Sequence, residues 1–165
     1  MANGAQNEKI RSIIDDIKVA MMVTVNENGR MRSRPMHVAQ VEEDCTCWFF
    51  TDEYSGKVET LKTDHPVVLD FSDCRGNCYL TISGRAYLVD NKEKMAELWN
   101  PVLNAWFPGG LGGHFLMIKV APEMAEYWEE PKKSWKQVFY AGKAFLTGED
   151  YSLSEHERVA FQQVA

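Results

Sequence analysis

Ser55, Gly56 and Lys57 follow an aromatic run, Trp48-Phe49-Phe50-Thr51, after a short acidic turn, Asp52-Glu53-Tyr54. The run is β-prone and ends in a threonine, and Ser-Gly-Lys reads as the opening of a helix. Free backbone N–H groups at a helix start, beside a hydroxyl and an ammonium group, form a natural phosphate seat. A lysine at that position is unfavourable for the helix dipole unless an anion lies between them. Ser55 can act at the same time as the N-cap. Just upstream, Arg32-Ser33-Arg34-Pro35-Met36-His37 reads as a second strand carrying cationic groups. Arg32 and Arg34 are two apart and so share one strand face. Pro35 holds Arg34 extended and withholds one ladder hydrogen bond, as at an exposed or ligand-facing edge. Arg34 is therefore favoured over Arg32 as a ligand contact. Together these segments suggest a small β-barrel holding a flat, phosphorylated cofactor.

The elements that must position them follow from pattern. Ile10, Ile13, Ile14 and Ile17 fall at helical spacing and predict an amphipathic helix over 7–17. Val19 to Val25 is an apolar, β-branched strand, and Asn26-Glu27-Asn28-Gly29 is a hairpin turn in which Asn-Gly supplies the positive φ angles. Arg30 to Val41 returns as a strand, Glu42-Glu43-Asp44 turns the chain, and Cys45 to Thr51 is the third strand. Ser55 to Asp64 is a short helix stopped before Pro66. Val67 to Ser72 and Cys78 to Val89 are strands joined by a turn at 73–77. Gly84 inside the second of these points to a bulge or a sharp bend. Asn91 to Trp99 is a helix and 100–113 is irregular. Phe115 to Glu129 is a strand interrupted near Ala121-Pro122, Lys133 to Leu146 a helix, and the remainder a loosely held polar tail. Strands in hairpin succession with helices inserted between some of them predict a mainly β protein, an antiparallel barrel with added helices. The 165 residues make one domain, with its core at about 8–147 and a tail at about 148–165.

Charge and composition exclude several classes. With 24 acidic against 18 basic residues the chain carries −6, so it has no basis for general nucleic-acid or anionic-membrane binding. The basic residues at 30–34 and at 57 then read as a local anion site. No apolar run approaches the ~20 residues of a spanning helix, and the first residues do not resemble a secretion signal. The expectation is a cytoplasmic protein with reduced cysteines. Cys45, Cys47, Cys74 and Cys78 are spaced C-x-C and C-x3-C rather than as paired C-x2-C, and the four histidines show no zinc spacing, so no metal site is expected. No nucleophile–base or paired-carboxylate motif stands out that could drive catalysis without a cofactor, and no catalytic residue is nominated.

The order of motifs resembles the pyridoxamine 5′-phosphate oxidase-like split β-barrel flavoproteins, in particular the general stress protein 26 branch. The residues carrying the resemblance are Met31-Arg32-Ser33-Arg34-Pro35-Met36, Trp48 to Thr51 with Ser55 to Val58, Tyr79 to Ala86, Leu98 to Pro101 with Ala105 to Pro108, and Glu126-Tyr127-Trp128. The resemblance covers roughly residues 8–147. It implies a Greek-key split barrel and a homodimer with FMN at the subunit interface. The Arg-Pro-Met strand would run along the flavin ring, and the threonine and Ser-x-Lys turn would hold the phosphate. By position the cofactor residues are Ser33, Arg34, Pro35, Met36, Phe50, Thr51, Ser55 and Lys57. Trp106 and Trp99 are candidates for contributions across the interface, and Trp106, in its Gly/Pro-rich loop, is the better placed to touch a ring. The short seat, with no Gly-x-Gly-x-x-Gly turn for a pyrophosphate, favours FMN over FAD.

The chain also departs from the oxidase proper. Ser154-Glu155-His156-Glu157-Arg158-Val159-Ala160 lacks the arginine-x-histidine element with which vitamin B6 oxidases grip their substrate, which argues against B6 oxidation. Pro108 to Gly113 lacks the aspartate-rich loop often found in the branch. The leading expectation is an FMN-dependent oxidoreductase with NAD(P)H as donor. The alternatives are a non-catalytic flavin carrier or sensor, and a related barrel holding deazaflavin F420 or haem.

Overall fold

The computed structural model describes residues 4–56, 58, 61, 65–105, 107, 109–129 and 155–161. The predicted helix over 133–146 and two of the predicted site residues, Lys57 and Trp106, lie outside these.

Helix α1 spans Gly4–Ile17 and buries Ile10, Ile13 and Ile14, the residues whose spacing predicted it. It ends at Lys18, whose φ of 60° is left-handed and whose N–H returns to the Ile14 carbonyl at 2.7 Å. Strands β1 (Val19–Val25), β2 (Met31–Val41) and β3 (Cys47–Asp52) form an antiparallel meander, and β4 (His65–Asp73) returns to lie on the other side of β1. That spatial order, β3-β2-β1-β4, is a Greek key. Strands β5 (Cys78–Val89) and β6 (Phe115–Glu129) continue the sheet, and β6 closes back onto β3. The six strands make a closed barrel, as the hairpin succession predicts.

Alternation fills the barrel. Ala20, Met22 and Thr24 of β1, Val67, Leu69 and Phe71 of β4, and Leu80, Ile82 and Ala86 of β5 are all buried. Burying one such aliphatic or aromatic side chain stabilises the fold by roughly 1.5–3 kcal/mol. Strand β3 is buried on both faces. Cys47 and Phe49 join the barrel core, whereas Trp48 and Phe50 join a second cluster with Met95, Leu103, Phe115 and Met117. That outer cluster lies under α2 (Lys92–Leu98), whose N-cap Asn91 accepts from the Lys94 N–H at 3.0 Å, and under the 3-10 turn Pro101–Ala105.

Three local expectations are revised. In the first hairpin Asn28-Gly29 supplies one positive φ angle, not two. Only Gly29 is left-handed (φ 72°), and Asn26 organises the loop by accepting from the Asn28 and Arg30 N–H groups. A side-chain Asx turn replaces the second positive φ. Strand β6 is not interrupted at Ala121-Pro122; it carries a bulge. Ser83 pairs Met124 while Gly84 pairs Pro122, which leaves Glu123 as the extra residue. The bulge is thus on β6, and Gly84 on β5 is the residue that lets it approach. Finally, residues 155–160, read as loose tail, form β7 (Glu155–Ala160) along β6. Val159 enters the core, and Glu157 accepts from the Tyr127 hydroxyl at 2.5 Å and from Gln6 of α1.

Candidate functional site

The barrel opens at a fork. Strand β2 pairs with β3 only from Val38 onward, where Val38 faces Phe49, and a bulge between Val38 and Gln40 marks the junction. Before that point β2 stays with β1, placing Pro35 against Met21, Arg34 against Met22 and Met36 against Ala20. Beyond Phe49, β3 stays with β6, placing Phe50 against Met117 and Thr51 against Leu116. The two strands therefore part where the register would otherwise set Met36 beside Thr51. One lip of the fork carries Met31 to Met36, and the other carries Thr51 and the turn that follows it.

The second lip is polar and built by its own backbone. Thr51 is buried on the inner face of β3, and its hydroxyl lies 3.0 Å from that of Ser55. Asp52 shapes the turn between them by accepting from the Tyr54 N–H at 2.7 Å, and its carbonyl accepts from the Ser55 N–H at 3.1 Å. The Ser55 carbonyl then accepts from the Val58 N–H at 2.9 Å, so the chain begins to coil here as the sequence predicts. Two adjacent hydroxyls, one able to donate outward, suit an oxyanion.

The first lip divides the predicted residues between two faces. Arg34 and Met36 point inward and Ser33 and Pro35 outward, as the period of two requires. Met36 is buried in the barrel core. Arg34 is half-buried and donates to the Thr24 hydroxyl at 3.3 Å. Burial, helped by the neighbouring Arg32 charge, pulls the Arg34 guanidinium below its ordinary value, although it stays a cation at neutral pH. Neither arginine has a carboxylate partner among the described residues. Two adjacent cations without an acid, in a chain of net charge −6, mark this lip as receptive to an anion or to a ring's carbonyl edge.

Phe50 lies at the fork, but its ring is engaged elsewhere. It makes edge contacts with Trp99, Phe107 and Phe115 at centroid separations of 5.6, 6.3 and 5.8 Å. Trp99 in turn stacks on Phe115 at 5.1 Å. Any part Phe50 takes in a site at the fork falls to its backbone. The structure thus brings Arg34, Thr51 and Ser55 to the fork as side chains and Ser33 and Pro35 to its outer edge, and it sends Met36 and the Phe50 ring into packing.

Sequence reasoning missed two features. Thr24 partners Arg34, and its signal was legible: it is the one hydroxyl in Val19–Val25, at an inward position by alternation. His114 braces the turn after β3. Its carbonyl accepts from the Glu53 N–H at 3.1 Å and its ring lies 3.3 Å from the Glu53 carboxylate. No local pattern pointed to it, because the contact spans about sixty positions. Cysteine chemistry plays no part at the fork. Burial pushes the Cys45 thiol up to about 12 and the Cys47 thiol higher still, so both stay protonated and inert. Among the described residues no three His, Cys, Asp or Glu side chains converge on a metal position, and no helix is long and apolar enough to cross a membrane.

The family model for the pyridoxamine 5′-phosphate oxidase like proteins matches residues 5–152. The chain belongs to this family. Among its relatives, general stress protein 26 of Bacillus subtilis is 24% identical over 119 residues, covering 70% of this chain and 83% of that one. A solved structure described as a general stress protein 26 from Jannaschia sp. CCS1 superposes with a TM-score of 0.78 at 22% identity, covering 96% of this chain and 100% of the other. A general stress FMN/FAD binding protein from Xanthomonas citri gives 0.68 at 23% identity, covering 80% and 94%. The barrel of the family is therefore the fold of this chain.

Proposed function

We propose that this chain is an FMN-dependent oxidoreductase that binds its cofactor in the β2–β3 fork, works as a homodimer and takes electrons from NAD(P)H. The observation that carries the reading is the fork itself, with Arg32 and Arg34, which have no carboxylate partner among the described residues, on one lip and the Thr51–Ser55 hydroxyl pair on the other. Family membership and the FMN/FAD-binding description of the Xanthomonas citri protein support it.

The residues present suit the group. The outward-donating hydroxyl of the Thr51–Ser55 pair would hold the phosphate, and Lys57, two residues on in sequence, would supply the counter-charge. Arg34, held by Thr24, donates to the polar edge of the ring. The flavin, when bound, supplies the redox chemistry, and the protein supplies orientation and charge. The side chains that the structure brings into the fork, Thr51, Ser55 and Arg34, offer no acid or base for proton transfer near neutrality. A non-catalytic carrier or sensor is accordingly the second reading.

A second copy of the chain is the partner. The outer face beside Ser33 and Pro35 is apolar, with Val19 43%, Met21 41% and Met31 76% exposed. Register sets Met31 against Val25, Ser33 against Val23 and Pro35 against Met21, so the patch is continuous with the outer edge of the fork. An exposed apolar strip of this kind marks an association surface. Burying it against a copy would close the fork, with Trp106 reaching across.

The test is direct. Purified protein should show the two broad flavin bands, sediment as a dimer at ~10 μM, and be bleached by NAD(P)H without oxygen. A Soret band or no bound flavin overturns the cofactor assignment, and a monomer overturns the shared site. Bound FMN that NAD(P)H cannot reduce favours the carrier.

A further inference from the structure

Resting on the FMN reading above, we infer that Arg30 and Arg32 form a site for a phosphate monoester on the electron donor, so that the donor is NADPH rather than NADH. The β1–β2 hairpin, residues 19–41, carries three arginines, Arg30, Arg32 and Arg34, no lysine and a single acid, Glu27. It is a cationic element in a chain of net charge −6. Arg32 and Arg34 share the inner face of β2. Arg30 continues the alternation one step further out, where its carbonyl accepts from the Asn26 N–H at 3.0 Å.

The arginines are drawn together. Register sets Arg32 opposite Thr24, and Arg34 reaches two residues outward to the same threonine, donating to its hydroxyl at 3.3 Å. The Arg34 guanidinium therefore lies in the row of Arg32, and burial and then the Arg32 charge lower it. The Asn26 side chain accepts from the Arg30 N–H at 2.9 Å and fixes the backbone from which Arg30 projects. Arg30 and Arg32 are exposed, past the last β1–β4 pair but one, and open to a ligand. Among the described residues, neither the three arginines nor Glu27 takes part in an ion pair. Adjacent like charges without an acid leave a positive field open to an anion.

That anion is not the FMN phosphate. The register of β2 with β3, extended past Val38 and Phe49, sets the Thr51–Ser55 pair level with Met36. Arg32 and Arg30 lie four and six residues beyond that level, about 14 and about 20 Å along an extended strand. A second anionic group is needed, and the electron donor carries one. NADH and NADPH share a pyrophosphate of singly charged phosphoryl groups, but only NADPH adds a 2′-phosphate monoester, which is close to a dianion at neutral pH. Two neighbouring guanidiniums, about 7 Å apart along the strand, suit a dianion with three acceptor oxygens. In dinucleotide-binding folds of other architecture an arginine likewise accommodates the 2′-phosphate.

The probe is 2′,5′-ADP, which carries the 2′-phosphate without a nicotinamide, set against 5′-AMP, which lacks it. Both are titrated calorimetrically into the full chain saturated with FMN. Wild type should bind 2′,5′-ADP at least about tenfold more tightly than 5′-AMP, and the preference should shrink as salt is raised. Arg30→Gln and Arg32→Gln should each reduce the preference, and the double variant should abolish it. Arg75→Gln, which removes an exposed arginine from the β4–β5 turn, should leave it unchanged. Anaerobic bleaching of the flavin should be faster with NADPH than with NADH in wild type, and equal in the double variant. Equal affinity for the two probes in wild type overturns the inference, as does a preference that survives the double variant. An equal loss in Arg75→Gln shows a general charge effect and overturns it too. If Arg32→Gln does not fold, Arg30→Gln, at the hairpin turn, decides on the same criterion. A chain that takes up no FMN overturns the FMN reading and this inference with it. A chain that holds FMN but shows no preference for the 2′-phosphate overturns this inference alone.

Discussion

Arg34 and Thr24 meet diagonally across β1 and β2, the guanidinium Nη1 donating to the threonine hydroxyl at 3.3 Å. Thr24 is buried, so the contact holds a cation on the inner face of an apolar barrel, on the β1 side of β2. An arginine bound by its planar fork is not replaced by a lysine.

Replacing Arg34 with alanine should therefore cost at least about tenfold in FMN affinity, the equivalent of a charge-assisted hydrogen bond of roughly 1.5–3 kcal/mol. Arg34→Lys should recover only part of it. Thr24→Val, which keeps the shape and removes the hydroxyl, should weaken FMN less than Arg34→Ala and leave the urea midpoint nearly unchanged. Flavin fluorescence titration reads all three, and an Arg34→Ala protein with wild-type affinity removes Arg34 from the site.

Gly84 is the point at which β5 meets the bulge of β6. A β-carbon there would lie 2.2 Å from the Ala121 carbonyl oxygen and 3.1 Å from the Pro122 Cα. Both are backbone-constrained atoms that cannot swing away. Gly84→Ala should lower stability by about 1–3 kcal/mol, the usual range for overpacking. Gly112→Ala, where a β-carbon meets nothing within 4 Å, is the control. Urea unfolding of both variants checks this, and equal midpoints would show that the bulge yields without strain.

Strand β7 is held by a carboxylate. Hydrogen bonds from Tyr127 and then Gln6 keep the Glu157 carboxyl below the usual glutamate range. A carboxylate lowered in the folded state contributes stability that is fully present above its unfolded value and is lost as pH falls through its folded value. Glu157→Gln should thus be less stable than wild type at about pH 7, and the two should converge on acidification below the ordinary carboxylate range. Hydrogen-exchange protection at Glu157, Arg158 and Val159, referred to the intrinsic rate at each pH, should fall in wild type over the same window. A stability gap that does not change with pH would assign Glu157 a packing role instead.

Much of this molecule was legible in the chain because its signals are local. An apolar, β-branched run bounded by a turn marked β1 at Val19–Val25 to the residue, the stretch after the 73–77 turn marked β5 at Cys78–Val89, and the spacing of four isoleucines marked α1. Thr51 stood out as the hydroxyl that ends an aromatic run, Ser55 as the residue that opens a helix and Arg34 as the cation before Pro35. The Arg-Pro-Met and Ser-Gly-Lys segments also carried the family resemblance. What the tertiary structure alone decided is non-local. Strand β7 is polar by itself, and only Val159 and the existing edge of β6 make it a strand. The two buried faces of β3 could not be told apart from an unbroken apolar run, so the Phe50 ring was free in the sequence to face either a ligand or the Trp99 cluster. The fork exists because β2 prefers β1 and β3 prefers β6 beyond Val38 and Phe49, a competition between pairings far apart in the chain. Periodicity records which way each side chain points along one strand. Which strand lies next to it is set by the packing of the whole barrel.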